Sequence, residues 1–107
     1  WTSSRRAVGR LETMREIDLP VIFTRHARRK MADRGASEED VIKALRVGRC
    51  EPAHRGLRQY RVNLEFRRTW ANKYYGMKQV VPVVAEEEGR YVVVTVYVFY
   101  FQEGQER

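Results

Sequence analysis

The stretch "TRHARRKMADRGASEEDV", residues 24–41, decides how the chain is read. Thr24 is a good N-cap residue, Ala27 and Met31 sit one helical repeat apart, and Gly35 stands where a helix can end in the left-handed conformation. Ser37 followed by Asp40 has the form of a capping box, and Val41, Ile42 and Leu45 behind it form an inner face that Gly48 closes. The pattern predicts two helices joined by a tight turn. The first carries Arg25, His26, Arg28, Arg29, Lys30 and Arg34, and the second opens on Glu38, Glu39 and Asp40. A basic face of this kind is either a solvated surface or one built to meet phosphate.

Downstream the period changes. Tyr60, Val62, Leu64 and Phe66 alternate with Arg61, Asn63, Glu65 and Arg67, which predicts a half-buried strand. "QVVPVVAE", residues 79–86, predicts another; Pro82 cannot donate to a ladder and is expected at an edge or a bulge. "EEGR" turns the chain, and "YVVVTVYVFYF", residues 91–101, is the strongest strand pattern. Upstream, Val8, Leu11 and Met14 suit a short amphipathic helix over residues 3–17, and "VIF" reads as a brief extended segment. The expected fold is α+β, with N-terminal helices packed on one face of a small antiparallel sheet. The organisation is a single domain over 1–107, with residues 1–20 a helical extension and 21–101 the core. In the last strand Val92, Val94, Val96 and Val98 are expected to bed the helices. Tyr91, Val93, Thr95, Tyr97, Phe99 and Phe101 would face the other way, sharing an open surface with Arg61 and Arg67.

Composition bounds the classes. Hydrophobic residues make up 43% of the chain, enough for a packed core, and a net charge of +7 favours polyanionic partners. The charge is uneven: residues 79–107 carry only Arg90 and Arg107 against Glu86, Glu87, Glu88, Glu103 and Glu106. Cys50 has no second cysteine to pair with, which fits a reducing compartment, and a cytoplasmic location is expected. No apolar run approaches the ~20 residues of a spanning helix. Opening on Trp1 rather than Met, the sequence reads as a piece of something longer.

His26, Arg29, Lys30 and Asp33 fall at i, i+3, i+4 and i+7 on one flank of the first helix, and His26 lies in its first turn, where free N–H groups attract anions. By spacing alone His26 is either an exposed structural residue or a proton-transfer group. "FTRHARRKMADRGASEEDVIKAL" resembles the signature of the family called domain of unknown function 4258. His26, Ala27, Lys30, Met31, Arg34, Gly35, Ser37, Glu38, Glu39, Asp40 and Val41 stand in its register, and Ala36 replaces the usual β-branched residue. Tyr60 and the final "VVTVY", Val93 to Tyr97, also agree. The resemblance covers about residues 22–98 and implies a RelE-like or barnase-like bacterial toxin fold that cleaves RNA without a metal or cofactor. By carry-over His26 and Arg34, then Lys30 and Tyr97, are its catalytic candidates. A longer connection over residues 67–79, "RRTWANKYYGMKQ", departs from the family pattern and adds Trp70, Tyr74 and Tyr75 beside Arg67, Arg68, Lys73 and Lys78.

The chemistry expected is attack by the ribose 2′-OH, with a base, an acid and cations around the phosphate. RNA contacts are expected from Arg29, Arg61, Arg67, Arg68, Lys73, Tyr75 and Thr95, with aromatic rings offering stacking surfaces. His54, in the "EPAHRG" loop, is a second proton-transfer candidate without a family counterpart. Two histidines and one cysteine make no known metal-ligand spacing. A toxin would also need a partner, an acidic antitoxin or immunity protein. A non-catalytic nucleic-acid binder and a protein-docking domain remain open alternatives. DNA reading by the second helix is disfavoured, because Glu38, Glu39 and Asp40 would face phosphates.

Overall fold

The computed structural model describes residues 20–102; the helix expected over residues 3–17 lies outside them. The order is β1 (Val21–Phe23), α1 (Arg25–Arg34), α2 (Glu38–Val47), β2 (Arg49–Pro52), a 3₁₀ turn (His54–Gly56), β3 (Arg58–Trp70), β4 (Lys73–Glu87) and β5 (Arg90–Phe101). The helix ends form as their residues dictate. Thr24 Oγ1 accepts the Ala27 N–H, Gly35 takes a left-handed φ of 83°, and Ser37 and Asp40 exchange the two bonds of a capping box. No helix among the described residues is long and apolar enough to cross a membrane.

The sheet is α+β in the expected sense but mixed rather than purely antiparallel. Its strand order is β1-β5-β4-β3-β2, and the short "VIF" strand pairs parallel with residues 91–93 of β5 while every other pair is antiparallel. Both helices lie on one face. Ala27 and Met31 of α1 and Val41, Ala44 and Leu45 of α2 pack with Tyr60, Val62, Val80, Val84, Val93 and Val96. Each fully buried valine or leucine among them contributes about 1.5–3 kcal/mol.

Three strand expectations are narrowed or changed. Of the two settings expected for Pro82, the edge is not used, since it lies on the central strand, and the bulge is, since the β4–β5 register shifts between Val83 and Val84 beside it. The β3–β4 ladder passes from Gln59↔Val83 to Val62↔Val80 without a pair between, opposite the proline that has no N–H to give. A bulge beside it shifts β5: Val84 pairs with Val93 but Val83 with Thr95, leaving Val94 as the extra residue. One inserted residue flips the side-chain alternation. Val93 therefore joins the helix-side core, and Tyr91 packs against it, while Val96 and Val98 keep the face expected of them. The third change concerns residues 67–79. They form the ends of β3 and β4 around a tight turn at Ala71 and Asn72, both with positive φ (53° and 68°). A second bulge, between Glu65 and Arg68, bends this hairpin so that Trp70 stacks on Tyr100 at 5.2 Å.

Both ends of α1 are tied to β5. The Thr24 N–H donates to the Val93 carbonyl (3.1 Å), Arg34 Nη1 donates to the Val96 carbonyl (2.8 Å), and the Tyr100 hydroxyl donates to the Arg34 carbonyl (2.6 Å). The first two satisfy carbonyls on the outer edge of β5, which the short β1 covers only in part, and the third takes a carbonyl at the end of α1. From β4, buried Lys78 reaches the turn between the helices, where its Nζ donates to the Gly35 carbonyl and to Asp40 Oδ2, both at 2.9 Å. Burial pushes the Asp40 carboxyl up, but the Lys78 and Ser37 hydrogen bonds and the Lys78 charge outweigh it and hold the group below its ordinary value. Burial, with the nearby Asp40 charge, pushes the Tyr100 phenol up to about 12.

Two stability outcomes are expected. In Gly35→Ala the added Cβ would lie 2.5 Å from Tyr100 Oη and 3.0 Å from Trp70, at a φ that alanine avoids. Urea unfolding should show a loss of at least ~1 kcal/mol. Lys78→Met strands the Asp40 carboxylate and should cost about 2–4 kcal/mol at neutral pH. Because the Asp40 pKa is lowered in the fold, the pair contributes fully above the ordinary value of 3.8 and fades as pH falls through the lower folded value. The gap between Lys78→Met and the parent should therefore narrow in acid.

Candidate functional site

Helical spacing puts His26, Lys30 and Arg34 at four-residue steps along one flank of α1. Ala27 and Met31 turn the helix so that this flank borders the outer edge of β5. His26 is exposed, Lys30 is half-buried, and neither has a hydrogen-bond or ion-pair partner among the described residues. Arg34 is partly engaged: one nitrogen holds the Val96 carbonyl, and the guanidinium lies 5.2 Å from the centre of the Tyr97 ring. Tyr97 is 44% exposed, unusual for a large ring on a strand. The structure thus joins Arg34 to Tyr97 directly and sets Lys30 and His26 on the same flank one and two turns away. Arg29 is exposed and falls on the side of α1 away from the sheet.

Tyr97 also belongs to the open face, where it borders a groove of about 430 Å³. The β5 bulge puts Val94 and Thr95 side by side on this face, and the β2–β3 turn supplies the opposite rim through His54 and Arg55. The second histidine and two of the expected residues, Thr95 and Tyr97, therefore meet around one depression. Leu57 and Gln59 line it as well. Carrying the alternation of β3 back past Tyr60 would have found Gln59 on the face shared with Arg61; nothing local in the sequence marked the β2–β3 turn as reaching it.

Arg61 is on this face but is held. It donates to Gln79 Oε1 at 2.8 Å and to both oxygens of Glu51, at 3.2 and 3.4 Å. The Arg61 and Gln59 hydrogen bonds hold the Glu51 carboxyl below its usual range, so a charged acid faces the arginine. Phosphate would have to displace Glu51 to reach it. The remaining candidates gather on the β3–β4 hairpin, away from the groove. Arg67 sits at the bulge with a φ of 47° and lies 3.6 Å from Glu65. The guanidinium of Arg68 covers Phe66 at 5.3 Å, and Lys73 lies 5.5 Å from the ring centre of Tyr75. Arg68 and Tyr75 lie on the helix side: Tyr75 touches Tyr100, and Arg68 lines a second hollow with Trp70 and Lys78. The single arginine–tyrosine surface expected from alternation is split into an α1–β5 edge, an open-face groove and a hairpin tip.

The signature residues themselves are used mainly by the fold. Gly35 forms the turn, Ser37 and Asp40 cap α2, Asp40 pairs with Lys78, and Ala27, Met31 and Val41 are core. Glu38 pairs with Arg28. What remains from the motif without a partner among the described residues is exposed His26, half-buried Lys30 and exposed Glu39. Lys78 was not legible as an anchor, since the two groups it bonds in the turn, the Gly35 carbonyl and Asp40, lie 43 and 38 residues away in sequence.

Among known proteins, the family described as "Domain of unknown function (DUF4258)" matches residues 23–98, from the end of β1 into the last third of β5. No curated protein and no solved structure matches the chain. The matched span holds both helices, the turn that Lys78 anchors and most of the sheet, so the chain belongs to the domain of unknown function 4258 family.

Proposed function

We propose that this protein binds single-stranded RNA through phosphate at the α1–β5 edge and cleaves it there without a metal, on a fold of the RelE-like or barnase-like kind. The observation that carries the reading is the contact of Arg34 with the exposed ring of Tyr97, on the flank where His26 and Lys30 have no partner among the described residues. In the proposed reaction His26 takes the proton of a ribose 2′-OH. The 2′ oxygen then attacks phosphorus, the bond to the 5′ oxygen breaks, and the Tyr97 hydroxyl returns a proton to the leaving oxygen. Lys30 and the free N–H groups of Arg34 hold the non-bridging oxygens, and the product end is a 2′,3′-cyclic phosphate. The hairpin cations and the net charge of +7 add length to the phosphate track. A cytoplasmic toxin of this type calls for an acidic antitoxin or immunity protein as its neutralising partner.

A second reading, a non-catalytic RNA-binding or protein-docking domain, is favoured by a separate observation. Arg34 has a structural task at the Val96 carbonyl that would suffice to explain its place in the motif.

Inducible expression in a bacterium, followed by mapping of RNA ends, separates the two. The catalytic reading expects growth arrest and new ends bearing cyclic phosphate. With purified protein, His26→Ala should lose roughly 10²–10⁴-fold in cleavage rate while RNA affinity barely moves. Full cleavage by His26→Ala would remove His26 from the mechanism. The absence of new ends on expression of the parent would leave the binding reading.

A further inference from the structure

The groove on the open face has features that phosphate binding at the α1–β5 edge does not use. Its floor is apolar, formed by Leu57, Val83 and Val94, and its volume of about 430 Å³ falls in the range of small-ligand sites. One wall is the Tyr97 ring. Arg34 lies over that ring but does not line the groove, so the ring is polarised by a cation on the helix side while it borders the cavity. A flat, electron-poor ring beside an aromatic wall is a favourable stacking geometry, and nucleobases are such rings.

The polar groups narrow the choice. Gln59 lines the groove, and its Nε2 donates to Glu51 Oε1 at 2.8 Å. Glu51 is a charged acceptor that also faces Arg61, so the amide cannot turn over without setting its carbonyl against a carboxylate. The Gln59 carbonyl is therefore fixed as the acceptor left for a ligand. Beside it the Thr95 hydroxyl, which has no partner among the described residues, can adapt as donor or acceptor. On the rim, the side chains of Arg55 and His54 also lack partners among the described residues. Arg55 is held at φ 60° and ψ 36°, a left-handed conformation uncommon for arginine.

We propose that this groove is a base-specific subsite that takes one nucleotide of single-stranded RNA, cytosine or adenine, whose exocyclic amine stands where uracil and guanine carry a carbonyl oxygen. The base stacks on Tyr97 over Leu57, Val83 and Val94, its amine donates to the Gln59 carbonyl, and Arg55 and His54 meet the flanking phosphate. Uracil would set its O4 against the same carbonyl and leave both acceptors unpaired. This rests on the RNA-binding reading, because the groove specifies a base within a chain that the α1–β5 edge holds by its backbone.

The test is fluorescence anisotropy with end-labelled oligo(C), oligo(A) and oligo(U) of equal length, titrated with the intact protein at low salt. Cytosine against uracil is the deciding comparison, since the rings match in size and differ at the exocyclic group. Oligo(C) is expected to bind about five- to tenfold more tightly than oligo(U), the worth of one buried hydrogen bond gained rather than lost. Gln59→Leu should bring oligo(C) down to the oligo(U) level. Because that change also disturbs the Glu51–Arg61 group, Val94→Trp, which fills the groove and leaves that group intact, should abolish the preference as well. Equal affinities for oligo(C) and oligo(U) in the parent protein, or a preference that survives Val94→Trp, would overturn the subsite. Failure of every oligonucleotide to bind would overturn the RNA reading itself, a different result.

Discussion

Lys78 reaches from the middle of the sheet into the turn between the two helices and holds it by two bonds, one to the Gly35 carbonyl and one to Asp40. Its ammonium also lies 5.3 Å from the centre of the Phe66 ring. Tyr100 grips the neighbouring carbonyl, that of Arg34, and Trp70 stacks on Tyr100. Two successive carbonyls that a helix end would leave to water are thus taken by strand side chains. This one junction sets the direction of α2, through Asp40, and the seat of α1, whose far end is fixed at Val93 by Thr24. With both ends of α1 pinned, the flank that carries His26, Lys30 and Arg34 has one place to be, along the outer edge of β5.

Local chemistry was enough to read the helices. Caps, the left-handed glycine and the apolar spacing each depend on residues within one or two turns, and Thr24, Gly35, Ser37, Asp40 and Gly48 all do what their types suggest. Most strands were legible as strands for the same reason, but β2 was not, since its Glu51 and Pro52 were expected to belong to the loop around His54. The faces of the strands were less legible, because alternation has a period of two and one inserted residue reverses it. The bulge at Val94 is the case in point: it moves Val93 into the core and brings Thr95 and Val94 together at the groove. Pro82 shows a second limit. Its missing donor is accommodated by a gap in one ladder of the central strand, a long-range solution that composition does not announce. The Lys78 anchor belongs here too, since a lysine within a basic stretch gives no sign that it will be buried.

The same division applies to the candidate site. Arg34 and Tyr97 do meet, and Thr95 lies beside Tyr97, although strand parity placed only the last two on one surface. Arg61 shares their face yet is neutralised by Glu51, a partner that the sequence places in a different segment. Of the hairpin residues, Arg68 and Tyr75 lie on the helix side, away from the groove. A motif that looks like a catalytic signature is therefore largely an architectural one, with His26 and Lys30 as the members that the fold does not consume. On this account the basic stretch of α1 is held by buried chemistry on one side so that its other side can meet phosphate.

The most direct test of that account is the salt dependence of RNA binding. Affinity for a short single-stranded RNA should fall steeply as salt rises, and Lys30→Ala should make the logarithmic slope shallower by about one phosphate's worth of released counterion, ~0.7. An affinity that does not change with salt, or a slope that Lys30→Ala leaves untouched, would contradict the claim that this flank grips phosphate.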